Sequence, residues 1–287
     1  MKALRSTVLW RVLIVLLCVL STSWLIRYEA FPQWFTQRLD GYDSLMGRDV
    51  LITESWLRVF YNGEPVGYSR SHLDLDETDP RRRYLLQNEL VLGFKIGGVQ
   101  RMVGIDVETR LDTARRLQTV TVNAGLAGFD VRAEIRRAHG DMFDVNTSIG
   151  GVTNALSIRI PDDAIFFVPM SDMLARQLRV GRSLSVRVFD PSTLGTRNLV
   201  IYAVREETIE TRDGPRQATV LEMEYHGVRT LSWVDRDGQV LRQEAGPGLV
   251  MEPCTPDEAF AALRDSEAGL DLMQIFTGDI FTLGGGR

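Results

Sequence analysis

From Thr53 onward the chain alternates apolar and polar residues in short runs, and most runs end in residues that favour a tight turn. A period of two places one face of each run toward a core and the other toward water. Leu57, Val59 and Tyr61 alternate with Arg58 and Phe60 before Asn62-Gly63. Both residues of that pair tolerate positive φ, so it closes a hairpin whose return strand runs over Gly67–Leu75. Further strands are expected over Tyr84–Leu92, Met102–Leu111, Leu117–Val122, Phe129–Ile135 and Met142–Ile149. Turns at Asp112-Thr113, His139-Gly140-Asp141 and Gly150-Gly151 separate them. Ser183–Phe189 and Asn198–Val204 follow, with a turn at Asp190-Pro191. Arg212-Asp213-Gly214 then leads into a strand over Ala218–Tyr225. A last hairpin runs from Val228 to Gly246 around Asp235–Gly238, with Leu231 and Trp233 on one face and Thr230, Ser232 and Val234 on the other. The expected fold is mainly β: one large curved antiparallel sheet or half-barrel with an inserted helix and a C-terminal helix.

The inserted helix rests on Met170, Met173, Leu174 and Leu178, which recur at helical spacing, with Ser171 as a candidate N-cap and Gly181 as a C-terminal stop. The dense apolar run Ala164–Met170 enters it. Two readings stay open. The helix is a flexible lid over a hydrophobic cavity, with Phe166, Phe167, Met170 and Met173 touching an apolar ligand, or it is an ordinary helix packed on the sheet. Thr255-Pro256-Asp257-Glu258 is a capping box with proline at the first helical position, so a C-terminal helix is expected there. Leu270–Phe276 reads as a turn-rich segment before a glycine tail.

Ahead of the sheet, Val8–Ile26 is apolar apart from Arg11 and a Ser/Thr patch, and Lys2 and Arg5 precede it. Its length suits a bilayer core, and the basic start stays cytoplasmic by the positive-inside rule. No small-x-small cleavage pattern follows, so an uncleaved signal anchor in a bacterial inner membrane is expected, with the main domain outside the cytoplasm. Trp24, Tyr28, Phe31, Trp34 and Phe35 crowd the next stretch. They read either as a membrane-interface cluster, with Leu39 continuing a short helical spacing, or as rings packed on the folded domain. The expected organisation is an anchor over 1–26, a membrane-proximal stalk over 27–50, the exported sheet over 51–254 and a helical end over 255–287.

Charge and chemistry-bearing residues narrow the function. The chain has a net charge of −5, and residues 1–50 carry six basic and four acidic side chains, so the body is more negative still. Such a body repels phosphate backbones, which argues against nucleic acid as a partner. Two cysteines, Cys18 and Cys254, lie too far apart to pair within one domain. The three histidines, His72, His139 and His226, are scattered, so neither a zinc signature nor a cofactor motif emerges. His72 reads as a surface or packed residue, and Asp162-Asp163 as a turn rather than a catalytic pair. The Arg81-Arg82-Arg83 run reads as a solvated loop.

Three motifs carry a family resemblance. YNGEPVGY over Tyr61–Tyr68, GRSLSVRVFDP over Gly181–Pro191 and WVDRDGQVLRQE over Trp233–Glu244 resemble an exported bacterial β-rich module. That module is found ahead of transglutaminase-like domains and as stand-alone membrane-anchored proteins. The resemblance spans Ser55 to Glu252, and the shape is similar to the half-barrels of lipoprotein carriers. It implies a non-enzymatic envelope accessory protein with a protein partner, or a carrier of a lipid or other hydrophobic ligand. A transglutaminase-like enzyme needs cysteine, histidine and acid in that order, and no histidine follows Cys254. A reversed pair of His226 and Cys254 is the one formal enzymatic alternative.

Overall fold

The computed structural model describes residues 36–46, 53–76, 82–96, 99–126, 129–166, 178–190, 193–246, 248–264 and 270–271. A short strand β1 (Gln37–Leu39) and helix α1 (Gly41–Met46) come first. An up-and-down meander follows: β2 (Thr53–Tyr61), β3 (Glu64–Leu75), β4 (Arg82–Ile96), β5 (Val99–Asp112), β6 (Leu117–Leu126), β7 (Phe129–His139), β8 (Met142–Ile149) and β9 (Val152–Arg159). After β10 (Ala164–Phe166) comes a second meander of β11 (Ser183–Asp190), β12 (Gly195–Thr211), β13 (Gly214–Tyr225), β14 (Val228–Val234), β15 (Val240–Ala245) and β16 (Leu249–Pro253). Helix α2 (Pro256–Arg264) and β17 (Leu270–Asp271) complete the order.

Within each meander consecutive strands are antiparallel, and β16 pairs with β2, Pro253 opposite Leu57, to fuse them into one 17-stranded sheet. At one edge β1 and β10 lie in line along β11, both parallel to it, on Leu184–Val186 and Arg187–Phe189 respectively. The other edge is β9. Strand β17 adds in parallel to β4 at Phe94 and Lys95.

Period two gives each strand one apolar face, and the sheet curls to bury it. Leu73, Leu86, Leu111, Val120, Ile135 and Phe143 of the first meander share one core cluster with Val186, Val188, Ile201 and Leu221 of the second. Residues so remote in the sheet order meet only because the open sheet is strongly curved. Helix α1 caps this concave core with Tyr42, Leu45 and Met46. A second concave cluster forms around Val59 and Val66, with Leu90, Leu92, Leu249 and Met251. On the opposite face α2 lays Phe260 against Trp56 and Tyr68, with ring centroids 5.5 to 5.6 Å apart. The long β12–β13 hairpin closes a third cluster there around Val220 and Trp233 and reaches α2 through Arg212 and Glu258.

Turn and cap chemistry fixes the corners as the residue types dictate. Asn62 and Gly63 have φ of 50° and 88°. Asp112 accepts the N–H groups of Ala114 and Arg116, and Asp235 those of Asp237 and Gln239, at 2.8 to 2.9 Å. The capping box closes reciprocally: Thr255 N–H donates to Glu258 at 2.9 Å, and Glu258 N–H to the Thr255 hydroxyl at 3.3 Å.

Several expectations need correcting. The Arg82 end of the basic run begins β4 rather than a loop. Strand β12 extends beyond Asn198–Val204 on both sides: Gly195–Arg197 pair with β11, and the run to Thr211 pairs with β13, which continues past the end of β14. Strand β9 follows the expected Gly150-Gly151 turn, and β16 extends the sheet beyond the expected hairpin end at Gly246; neither strand was expected. Ala164–Phe166 forms a strand held by β11. Leu270–Asp271 is a strand, not a turn. Leu39 lies in β1 and is buried, not part of a surface helix. The expected helix over 170–178 lies outside the described residues apart from Leu178, which is buried in the main core. The anchor segment also lies outside them, as do Trp24, Tyr28, Phe31, Trp34 and Phe35. Among the described residues no helix is long and apolar enough to cross a membrane.

Candidate ligand cleft on the concave face

Between the two concave core clusters the sheet is not filled. Ser55 and Leu57 of β2 pair with Ser71 and Ser69 of β3, which pair in turn with Asn88 and Leu90 of β4. Cross-strand partners share a face, so three serines stand side by side where the alternation places core residues. A hydroxymethyl group fills far less space than a leucine, and a cavity of about 180 Å³ results. Its apolar wall is Leu57, Leu90, Ile105, Val107, Val240 and Met251. Ser55, Ser69, Ser71, Asn88 and Gln243 supply the polar part, with the Ser71 hydroxyl donating to the Asn88 side-chain oxygen at 3.0 Å. The sequence signal was available: serines at three inward positions of β2 and β3. It was missed because they carry no catalytic pattern.

Of the four residues expected to touch a ligand, only Phe166 is described, and it is not free to do so. It is 6% exposed, its ring packs against Phe189 at 5.6 Å, and its N–H donates to the Tyr42 hydroxyl at 3.0 Å. It belongs to the core because β10 seals the edge of β11. Phe167, Met170 and Met173 lie outside the described residues.

The enzymatic alternative has no geometry behind it. His226 follows Tyr225, which faces Val228 two residues beyond the row of Met223, Thr230, Ala245, Leu249 and Tyr61. Cys254 follows Pro253, which pairs with Leu57 at the other end of the same strands. At strand spacings the two are about 20 Å or more apart. His226 Nε2 instead lies 3.1 Å from the buried carboxylate of Asp190, which Arg197 also holds at 2.9 Å. Burial and the nearby Glu258 carboxylate push the Cys254 thiol up, away from the thiolate needed for attack. Asp162 and Asp163 form the expected turn, and both are engaged: Asp162 with Arg137 at 2.7 Å, Asp163 with Arg187 at 2.9 Å and with Arg38. The open depression beside them is lined by Asp112, Arg116, Gln118 and Arg137. Its charges are already paired, Arg116 and Gln118 both reaching Asp112 at 3.0 Å. His72 is packed, with Nε2 3.5 Å from Asp74. Among the described residues no cluster of three or more His, Cys, Asp or Glu side chains is arranged to hold a metal ion.

No protein-family model matches this chain, and neither does any curated protein or solved structure. The resemblance to exported transglutaminase-associated modules therefore rests on the three quoted motifs alone.

Proposed function

We propose that this chain is a non-catalytic envelope protein, tethered to the inner membrane through Val8–Ile26, whose concave face takes the apolar end of a lipid or similar hydrophobic ligand. The observation that carries this reading is the serine-floored cleft between the two core clusters. At about 180 Å³ it has room for roughly six water-sized groups, less than a whole drug-sized ligand needs. It suits the end of a single acyl chain. The apolar surface does not stop at the cleft. Ile105 at its rim and Ile149 further along the same face are 37% and 53% exposed, and Ala124 and Val131 lie between them in register. Ser55, Ser69 and Gln243 add hydrogen-bonding capacity for an ester or hydroxyl group.

Photo-crosslinking in native membranes tests it. A diazirine side chain at Ile105 faces the cleft, whereas one at Met102, half-exposed on the opposite face of the same strand, does not. The expected result is a lipid-mass adduct at position 105 that is absent at 102 and lost when Ser71→Leu fills the floor. Equal labelling at both positions, or none at 105, removes the reading. A second reading, presentation of the β-domain to a protein partner, is favoured by the bare edge of β9.

A further inference from the structure

Strand β9 pairs with β8 alone among the described residues, and Val152 through Ser157 are all exposed. The hairpin fixes which backbone groups are free. Gly150 and Gly151 form a two-residue turn with φ of 56° and 86°, and Ile149 faces Val152 across it. That pair is hydrogen-bonded. By alternation Val152, Asn154, Leu156 and Ile158 bond inward to β8, and Thr153, Ala155 and Ser157 turn their N–H and C=O groups outward. Within the strand itself the devices that ordinarily blunt such an edge are missing. Val152–Ile158 contains no charged residue and no proline, and its register against β8 has no bulge.

We propose that β9 pairs antiparallel with β9 of a second copy of this chain, about a two-fold axis through Ala155, making one continuous sheet across a dimer. The strand is self-complementary in that register. The two-fold axis must pass through a residue rather than between two, so that outward-facing residues meet one another, and Ala155 is the central outward-facing residue of the strand. Thr153 of one copy then stands opposite Ser157 of the other, with on the order of six backbone hydrogen bonds in all. Alanine meets alanine at the axis, where bulk or charge would clash with its own image. On the concave side Val152 meets Ile158 and Asn154 meets Leu156, covering Val152 and Leu156, which are 65% and 37% exposed in the single chain. The nearest charge, Arg159, falls beside Gly151 and is held by Asp141 at 3.1 Å. No like charges are opposed anywhere along the pair.

The test is disulfide trapping of the full-length chain in membranes, with Cys18 and Cys254 replaced by serine and copper–phenanthroline as oxidant. Ala155→Cys faces its own copy with Cα atoms about 5.5 Å apart, within disulfide reach. Asn154→Cys faces Leu156 of the other copy. The expected result is that most of the Ala155→Cys chain runs as a covalent dimer and the Asn154→Cys chain as a monomer. Ala155→Pro provides the second measurement. Its lost N–H points outward, so the β8 ladder stays intact, and the detergent-solubilised chain should shift from dimer to monomer in sedimentation. Equal trapping at 154 and 155, trapping at neither, or a wild-type chain that sediments as a monomer overturns the proposal. The cleft reading stands or falls separately, since its readout is at Ile105 and Ser71.

Discussion

Gly67 sits where β3 passes closest to β4: a β-carbon there would lie 1.9 Å from the Val91 carbonyl oxygen and 2.9 Å from its carbon. Both obstructing atoms are backbone, so no side chain can swing away. Gly67→Ala is expected to cost at least about 3 kcal/mol, read as a lowered urea midpoint. Gly63→Ala meets open space and pays only for its φ of 88°, about 1 kcal/mol. Equal losses in the two variants would mean the strands part easily at Gly67. The comparison also shows what was legible in YNGEPVGY. The role of Gly63 follows from its neighbour Asn62 and needs only local turn chemistry. That of Gly67 depends on Val91, which is remote in sequence, so nothing local distinguishes it. The same limit explains Phe166. Three apolar residues in a row fit a strand or a helix equally well, and only the parallel contact with Phe189 decides between them.

Among the elements, the hairpins were legible because each carries its own turn residues, and α2 because its capping box is local. Strands β1 and β10 were not. They are three-residue pieces with no turn signal, and β11 holds them as partners from distant parts of the chain. For β1 and α1 this has a practical consequence. A stalk over 27–50, as the sequence suggests, places the start of the folded domain at residue 51, so a fragment from residue 48 would hold all of it. Leu39, Tyr42, Leu45 and Met46 are instead 2 to 8% exposed within the main core. At about 1.5–3 kcal/mol for each fully buried side chain, losing four removes roughly 6–12 kcal/mol. That is comparable to the whole stability of a domain. A fragment beginning at residue 48 should therefore show no cooperative melting transition and bind a hydrophobic dye. One beginning at residue 36 should melt cooperatively. A residue-48 fragment as stable as the longer one would show that β1 and α1 contribute nothing to the core.

Three tyrosines placed far apart in the sheet make the whole molecule sensitive to alkali. Tyr42 lies in the α1 cap, where burial holds its phenol well above the ordinary range against the opposing effect of the Phe166 N–H. Tyr68 lies under α2; burial pushes it up to about 12, helped by Glu89, which accepts its hydroxyl proton at 3.0 Å. Tyr225, near the edge of β13, is raised by burial and then by the Asp190 carboxylate. In the unfolded chain each would ionise near pH 10. Raised folded values mean that the native state keeps protons the unfolded state releases. The stabilisation is complete below about pH 10 and is lost as pH climbs through the folded values. Each phenol adds a slope of up to about 1.4 kcal/mol per pH unit in that window. The Cys254 thiol, raised by burial, starts a shallower decline from about pH 8.5. Urea midpoints taken from pH 8 to 11.5 should thus bend gently and then fall steeply. Tyr68→Phe should remove one phenol's share of the steep part and leave the Cys254 part intact. Because the three rings report on the α1 cap, the α2 packing and the far end of the second meander, coincident loss of signal at all three would show that the curved sheet unfolds as one unit. A midpoint flat to pH 11 would mean that water reaches these phenols in the folded state, and that the sheet is more open than its burial implies.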